Sequence, residues 1–336
     1  MMMKYIMIWP YGWFDTYMYR DLMVNNMIVH LDVDRPYSSC VMNFLRRVHY
    51  SPKINRIVNL PCKDIWNYSL YKALLSEISE DTCIIFDTGS LAHLSLRMLN
   101  KIRRISQKIR MVLVAADSLH GASAHISDAL PRILGFRWDL ILSYDKSDCH
   151  EFGFEYLGQT IYSKLNDIHP SDEKSDLYFI GRNKAGRNYD VLKLYHALFS
   201  AGVKLNFNLV DTKENNQKSR YSKSPGVHLF TENLPYEKVI SDVLSTKCIL
   251  EVVAPGQKAQ TARYYEAVCY NKKLLTNNAG CFNLPFYNKD YIHYFENVND
   301  INPDWIKDMT SVEYNYHGEF SPIHLLDTIN NKLKRY

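Results

Sequence analysis

At 336 residues, with 46% hydrophobic and 23% charged side chains, the chain has room for about two domains of ~150 residues. Its composition is that of a folded protein, not of a disordered, collagen-like or disulfide-scaffold chain. A formal charge of +4 from 40 basic and 36 acidic residues gives no concentrated basic footprint of the kind a nucleic-acid binder carries, so nucleic acid is excluded as a partner. No stretch reaches the ~20 consecutive apolar residues of a membrane span.

In chain order, short apolar runs of strand length alternate with stretches of helical period, the pattern of a parallel sheet with crossover helices. Strands are expected at 5–9 (YIMIW), 26–31 (NMIVHL), 83–87 (CIIFD), 110–117 (RMVLVAAD) and 140–145 (LILSYD). Several end in aspartate. In open α/β sheets ligands bind beyond the carboxyl ends of the strands, which makes Asp87 and Asp117 candidates to meet a substrate. The polar, proline-containing stretch at 166–175 reads as an interdomain linker. A second α/β pattern follows: strands at 176–181, 204–210, 227–230, 248–253 and 273–277, with helices over 188–201, 235–245 and 259–270. The expected organisation is a first domain at 1–165, the linker, a second domain at 176–315, and a C-terminal helix within 316–336 that packs back on the first domain. The start, MMMKYIMIWPYGWF, lacks the basic, apolar, small order of a signal peptide. Seven scattered cysteines with no CxxC pair spell neither a disulfide framework nor a zinc site and are expected as reduced thiols in the cytosol.

The most informative segment is CILEVVAPGQKAQTARYYEAVCYNKKLLTNNAG, residues 248–280. A buried strand runs into a proline-glycine loop, the loop opens a helix with Arg263 and Glu266 in its early turns, and a second strand ends at Asn277 and Asn278. Unpaired N–H groups and the dipole at such a helix start favour a phosphate. Arg263 can neutralise the phosphate through a bidentate contact, and a carboxylate one turn on can accept from a ribose diol. The plain alternative is a crossover helix with a solvated arginine and glutamate.

The order strand, APGQ loop, TARYYEAV helix, NKKLLTNN strand resembles the donor segment of GT-B glycosyltransferases, particularly those of bacterial capsular polysaccharide and lipopolysaccharide O-antigen biosynthesis. DLYFIGRNKAGRN resembles the strand and basic loop that open their C-terminal domain. DLILSYDKSDCHEFGFEYL resembles the segment closing the N-terminal domain, and NFLRRVHYSPKINRIVNLP a basic stretch near the N-terminus. The likeness covers most of the chain. It implies two Rossmann-like domains facing each other across a cleft and a hexosyltransferase that uses a UDP-sugar as co-substrate, with no metal and no other cofactor. It places Glu266 on the ribose, and Gly256, Gln257, Gln260, Thr261 and Arg263 against the diphosphate. Gly181 lies beside the donor, and Arg182 and Lys184, with Arg187 in reserve, offset the charge of the departing nucleotide. Many retaining members carry two glutamates eight positions apart. Here Lys258 stands eight before Glu266 and the nearest upstream carboxylate is Glu251, so an inverting displacement is expected.

Such a displacement needs a general base within hydrogen-bond reach of the acceptor hydroxyl. Asp117 ranks first, Asp87 second and His120 third, each with the alternative of capping a helix or bonding within a loop. Tyr11, Gly12 and Trp13, in an aromatic N-terminal loop, suit the apolar face of an acceptor sugar; core packing suits them equally. Two basic clusters, Arg46, Arg47, Lys53 and Arg56, then Arg97, Lys101, Arg103, Arg104, Lys108 and Arg110, contain no acid. They can hold the protein at the anionic inner face of the cell membrane, where a lipid-linked glycan acceptor is found, or form solvated helix faces.

Two other readings stay open. Asp32-x-Asp34 matches the metal-binding signature of the single-domain GT-A glycosyltransferases, in which two carboxylates share a divalent cation. A two-lobed protein that binds a sugar or nucleotide without chemistry is the other. A dehydrogenase is excluded by the want of a G-x-G-x-x-G after the early strands, and a serine hydrolase by the want of a G-x-S-x-G elbow.

Overall fold

The computed structural model describes residues 3–10, 15–58, 60–115, 119, 124–182, 187–210, 224–253 and 260–334. It divides into two compact units, one of Met1–Ser163 with Phe320–Tyr336 and one of Lys164–Glu319. Each is built on a six-stranded, wholly parallel sheet. The first contains β1 (Lys4–Trp9), β2 (Ile28–Asp32), β3 (Thr82–Asp87), β4 (Arg110–Ala115), β5 (Leu140–Ser143) and β6 (Glu155–Tyr156), and the second contains β7 (Ser175–Arg182), β8 (Leu205–Val210), β9 (Val227–Phe230), β10 (Thr246–Glu251), β11 (Lys273–Thr276) and β12 (Ile292–Tyr294).

The strand orders decide where a ligand can sit. In the first unit the order is β2-β1-β3-β4-β5-β6, and in the second β12-β11-β10-β7-β8-β9. Connections leave in opposite directions on either side of β1/β3 and of β7/β10, and a crevice opens at such a switch point beyond the carboxyl ends of the strands. The central strands are buried on both faces, as parallel strands must be: Ile84, Phe86, Met111 and Leu113 lie in the core of the first unit and Leu177, Phe207, Cys248 and Leu250 in that of the second.

Ten of these strands lie where the apolar runs place them, with ends shifted by one or two residues. The two edge strands β6 and β12 carry only two and three residues, too few for a period of two to register. The segment 166–175 lies inside the second unit, where the carbonyl of Ser171 accepts from Ser245 Oγ (2.8 Å) and its amide donates to the carbonyl of Ser241 (3.1 Å). The helix Ile323–Leu333 belongs to the first unit and contributes Leu325, Leu326 and Ile329 to its buried residues. No disulfide joins the seven cysteines.

One glycine fixes the entry into β9. Gly226 has φ +73°, its carbonyl accepts from Phe207 N–H (2.7 Å), and a Cβ there stands 2.2 Å from the carbonyl oxygen of Leu205. A left-handed backbone costs an L-residue roughly 1–2 kcal/mol, and here backbone must also move. Gly226→Ala is therefore expected to destabilise by at least ~2 kcal/mol, read as a lower urea midpoint with an unchanged slope.

Candidate functional site

The site is assembled at the β7/β10 switch point of the second unit. An open cavity of about 420 Å³ is lined by Phe179 to Arg182 at the end of β7, Leu250 to Val252 at the end of β10, and Thr261 to Arg263. The last group starts the helix Ala262–Cys269, whose N-cap is Thr261: its Oγ1 accepts from the amide of Arg263 (3.2 Å). Of the sequence-derived donor residues, Gly181, Arg182, Thr261 and Arg263 thus share one wall, and Gln260 immediately precedes the cap. Lys184, Gly256 and Gln257 lie outside the described residues, as do the side chain of Arg187, the general-base candidates Asp117 and His120, and the acceptor residues Tyr11, Gly12 and Trp13.

Glu251 enters the site without having been singled out as a ligand. It ends β10, faces the cavity, and accepts from Thr261 N–H (3.2 Å), Thr261 Oγ1 (2.5 Å) and Thr276 Oγ1 (2.6 Å). Burial pushes its carboxyl above the usual range, and the two threonine hydroxyls oppose that rise. The signal for it was present in the sequence: a charged residue closing the apolar run CILE stands at the carboxyl end of a central strand, the position that singled out Asp87. Asn277 is structural, its side chain bridging both backbone groups of Val253 through Oδ1 (2.7 Å) and Nδ2 (3.3 Å).

Glu266 is fully buried, behind the cavity wall. Its Oε1 accepts from Arg263 Nη2 (2.5 Å) and from Tyr236 Oη (2.9 Å). Burial pushes its carboxyl up to about 7, with Arg263 acting in the opposite sense and Glu251 adding to the rise. Arg263 therefore has one side on the cavity and one on a buried carboxylate. With both glutamates ionised the cluster Glu251, Arg263, Glu266 carries a net negative charge, poor ground for a phosphate. Protonation of one makes it neutral and of both makes it positive, and the raised pKa values favour that.

In the first unit, Asp87 ends β3 beside the β1/β3 switch point. Its Oδ1 accepts from Ser90 N–H (2.7 Å) and its carbonyl from Ser90 Oγ (2.7 Å), starting the turn Ser90–Ala92. Asp32 and Asp34 are engaged locally: Asp32 Oδ1 accepts from the amide of Asp34 (2.7 Å), and the Asp34 carboxylate is ion-paired with Arg46. Among the described residues no group of three or more His, Cys, Asp or Glu is placed to hold a metal ion.

The architecture is that of the GT-B glycosyltransferases. The chain superposes over 98% of its length on 99% of the OtsA apo structure, with a TM-score of 0.57 at 11% identity. An E. coli trehalose-6-phosphate structure bound with UDP-2-fluoro glucose matches over 99% of both chains (TM-score 0.57, 11% identity). A trehalose-6-phosphate synthase studied with bisubstrate glycomimetics for glycosyltransfer with retention matches equally far (TM-score 0.53, 10% identity). No family model and no curated relative matches the chain. Two complete parallel sheets overturn the GT-A alternative built on Asp32 and Asp34, since that fold has a single nucleotide-binding domain.

Proposed function

We propose that the protein is a glycosyltransferase that moves one sugar from a UDP-sugar to a hydroxyl of a lipid-linked surface-polysaccharide acceptor of the capsular or O-antigen kind. The observation that carries the reading is the convergence of Gly181, Arg182, Glu251, Thr261 and Arg263 on one cavity at the switch point of the second sheet. The nucleotide diphosphate lies against Thr261 and Arg263, with Gln260, Gly256 and Gln257 beside it. Arg182 and Lys184 stabilise charge on the leaving phosphate in place of a metal ion. Glu266 orients Arg263 from behind, and its place near the ribose is the further part of the proposal. A base on the first unit, Asp117 before Asp87 and His120, takes the acceptor proton, and Tyr11, Gly12 and Trp13 receive the acceptor sugar. Peripheral attachment to the inner, anionic face of the cell membrane brings the protein to its acceptor. Lysine at position 258 supports inversion, whereas the neighbour studied with bisubstrate glycomimetics transfers with retention.

A ligand that binds only the folded state at a hundred times its Kd stabilises by about 2.7 kcal/mol. UDP and UDP-glucose are therefore expected to raise the melting temperature of the full chain in EDTA as well as in magnesium. No shift with any UDP-sugar overturns the reading. A shift that EDTA removes overturns its metal-independent form.

A further inference from the structure

The helix Cys40–Tyr50 in the first unit is amphipathic in the reverse sense from an ordinary surface helix, which turns its apolar stripe inward. Its inward side is polar. Arg46 is buried, donates to the carbonyls of Val33 (3.2 Å), Asp34 (3.1 Å) and Arg35 (3.1 Å), and pairs with the Asp34 carboxylate. Asn43 exchanges hydrogen bonds with the backbone of Tyr37 (2.7 and 2.8 Å), and Tyr50 Oη donates to the carbonyl of His93 (3.2 Å).

The outward side is apolar. Val41, Phe44, Leu45 and Val48 stand at i, i+3, i+4 and i+7, one continuous stripe, and the first three are 66%, 64% and 47% exposed. Further exposed apolar side chains lie on the elements that follow this helix. The helix Pro52–Ile57 packs beside it and leads into exposed Ile57 and Val58, and Ile65 and Tyr68 are exposed on the next elements. An open cleft of about 500 Å³ lies between Cys62, Asp64, Ile65 and Tyr68 on one side and Arg97, Met98 and Lys101 on the other.

The charge around this face is predominantly positive, the nearby carboxylates of Asp34 and Asp64 being engaged by Arg46 and by Ser95 Oγ. From Arg35 to Lys63 the chain carries six arginines and lysines and no carboxylate, and from Arg97 to Arg110 six more, again with none. Arg46, Arg103 and Lys108 form ion pairs with Asp34, Asp139 and Glu80; Arg47, Arg97, Lys101 and Arg104 are exposed. Monomeric proteins rarely leave so continuous an apolar patch in water. A protein interface mixes donors and acceptors around its apolar centre, whereas an apolar stripe beside a large excess of exposed cations is the pattern of a helix lying in a lipid headgroup region.

We propose that this face of the first unit docks on an anionic phospholipid bilayer, with Val41, Phe44 and Leu45 seated at the boundary of headgroups and acyl chains and the exposed cations against lipid phosphates. It adds an inserted apolar element to the electrostatic attachment proposed above, and it rests on that reading for the bilayer as occupant.

The test is flotation of the full chain with vesicles of phosphatidylcholine alone or with about one-third phosphatidylglycerol, at about 0.1 M salt where surface charges still act over ~10 Å. The wild type is expected to float with the anionic vesicles and not with the neutral ones. Phe44→Ser/Leu45→Ser is expected to lower the partition coefficient about tenfold while keeping the wild-type melting curve and UDP shift. Met309→Ser, which trims an exposed apolar side chain of the second unit, is expected to float like wild type. Equal binding by the double variant, or no anionic-vesicle binding by the wild type, overturns the proposal. A wild-type dimer in light scattering that the double variant dissolves also overturns it, assigning the face to a second copy of the chain. Loss of the UDP shift with vesicle binding intact overturns the transferase reading alone.

Discussion

Glu266→Ala is expected to lower the melting temperature by about 10 °C and to weaken UDP binding through the proposed ribose contact, while Glu266→Gln keeps most of the stability. Glu266 Oε1 is the acceptor for both Arg263 and Tyr236 in a place with no exposed surface. Truncation removes the carboxylate that faces a guanidinium that cannot give up its proton and that accepts from the Tyr236 hydroxyl. Breaking a buried ion pair from one side costs about 3–5 kcal/mol, and at the lower end of that range a unit of this size loses about 10 °C. Glutamine keeps an acceptor oxygen for both donors. Differential scanning fluorimetry with and without UDP checks both parts, and an alanine variant that melts within about 2 °C of wild type removes the supporting role from Glu266.

The same residue sets a sign for the pH dependence. Burial raises the Glu266 carboxyl from its ordinary 4.5 to about 7, so between those values the folded state binds a proton that the unfolded state has released. The stability contributed by this group is fully present below 4.5 and is lost as pH rises through 7. Glu251 is shifted the same way. Wild type should therefore lose stability between pH 5 and pH 8 more steeply than Glu266→Gln, in which one of the two groups no longer titrates.

Sheet and site were legible to different degrees because they are written in different signals. The ten long strands announce themselves as apolar runs, since a parallel strand buried on both faces has no polar alternation to confuse it; β6 and β12 are too short to show any. Arg182, Thr261 and Arg263 can be placed at one cavity from the sequence because they lie next to a strand end or a helix start, where spacing along the chain fixes position in space. Glu266 illustrates what spacing leaves out. Its place on the helix was legible, but the side it faces depends on Tyr236, thirty residues earlier on another helix, and on how helix Ala262–Cys269 is enclosed from Tyr264 onward. Helix Cys40–Tyr50 fails in the opposite way. The sequence marks only its basic residues, whereas the apolar stripe faces outward because Arg46 and Asn43 bond inward to the backbone of Val33 to Tyr37.

Arg263→Met is expected to cut UDP affinity by about 30- to 100-fold, the worth of charge-assisted bonds to a phosphate at about 2–3 kcal/mol, yet to cost far less stability than Glu266→Ala. The asymmetry follows from which ion is orphaned. Without Arg263 the Glu266 carboxyl, already pushed up to about 7, rises further and takes a proton, becoming a neutral buried acid that still accepts from Tyr236; the guanidinium in Glu266→Ala cannot discharge itself in the same way. The exchange also makes nucleotide binding a proton-coupled step. When a diphosphate approaches the cavity side of Arg263, it competes with Glu266 for the same cation, and the buried carboxylate so displaced is stabilised by protonation. Wild type is expected to take up a fraction of a proton per UDP bound near pH 7.5, seen as a binding enthalpy that changes with the ionisation enthalpy of the buffer in titration calorimetry, whereas Arg263→Met, with Glu266 protonated beforehand, shows close to none. Buffer-independent enthalpy in the wild type means that the diphosphate does not draw Arg263 away from Glu266, and if Arg263→Met then binds UDP as tightly as wild type the arginine serves the fold instead of the donor.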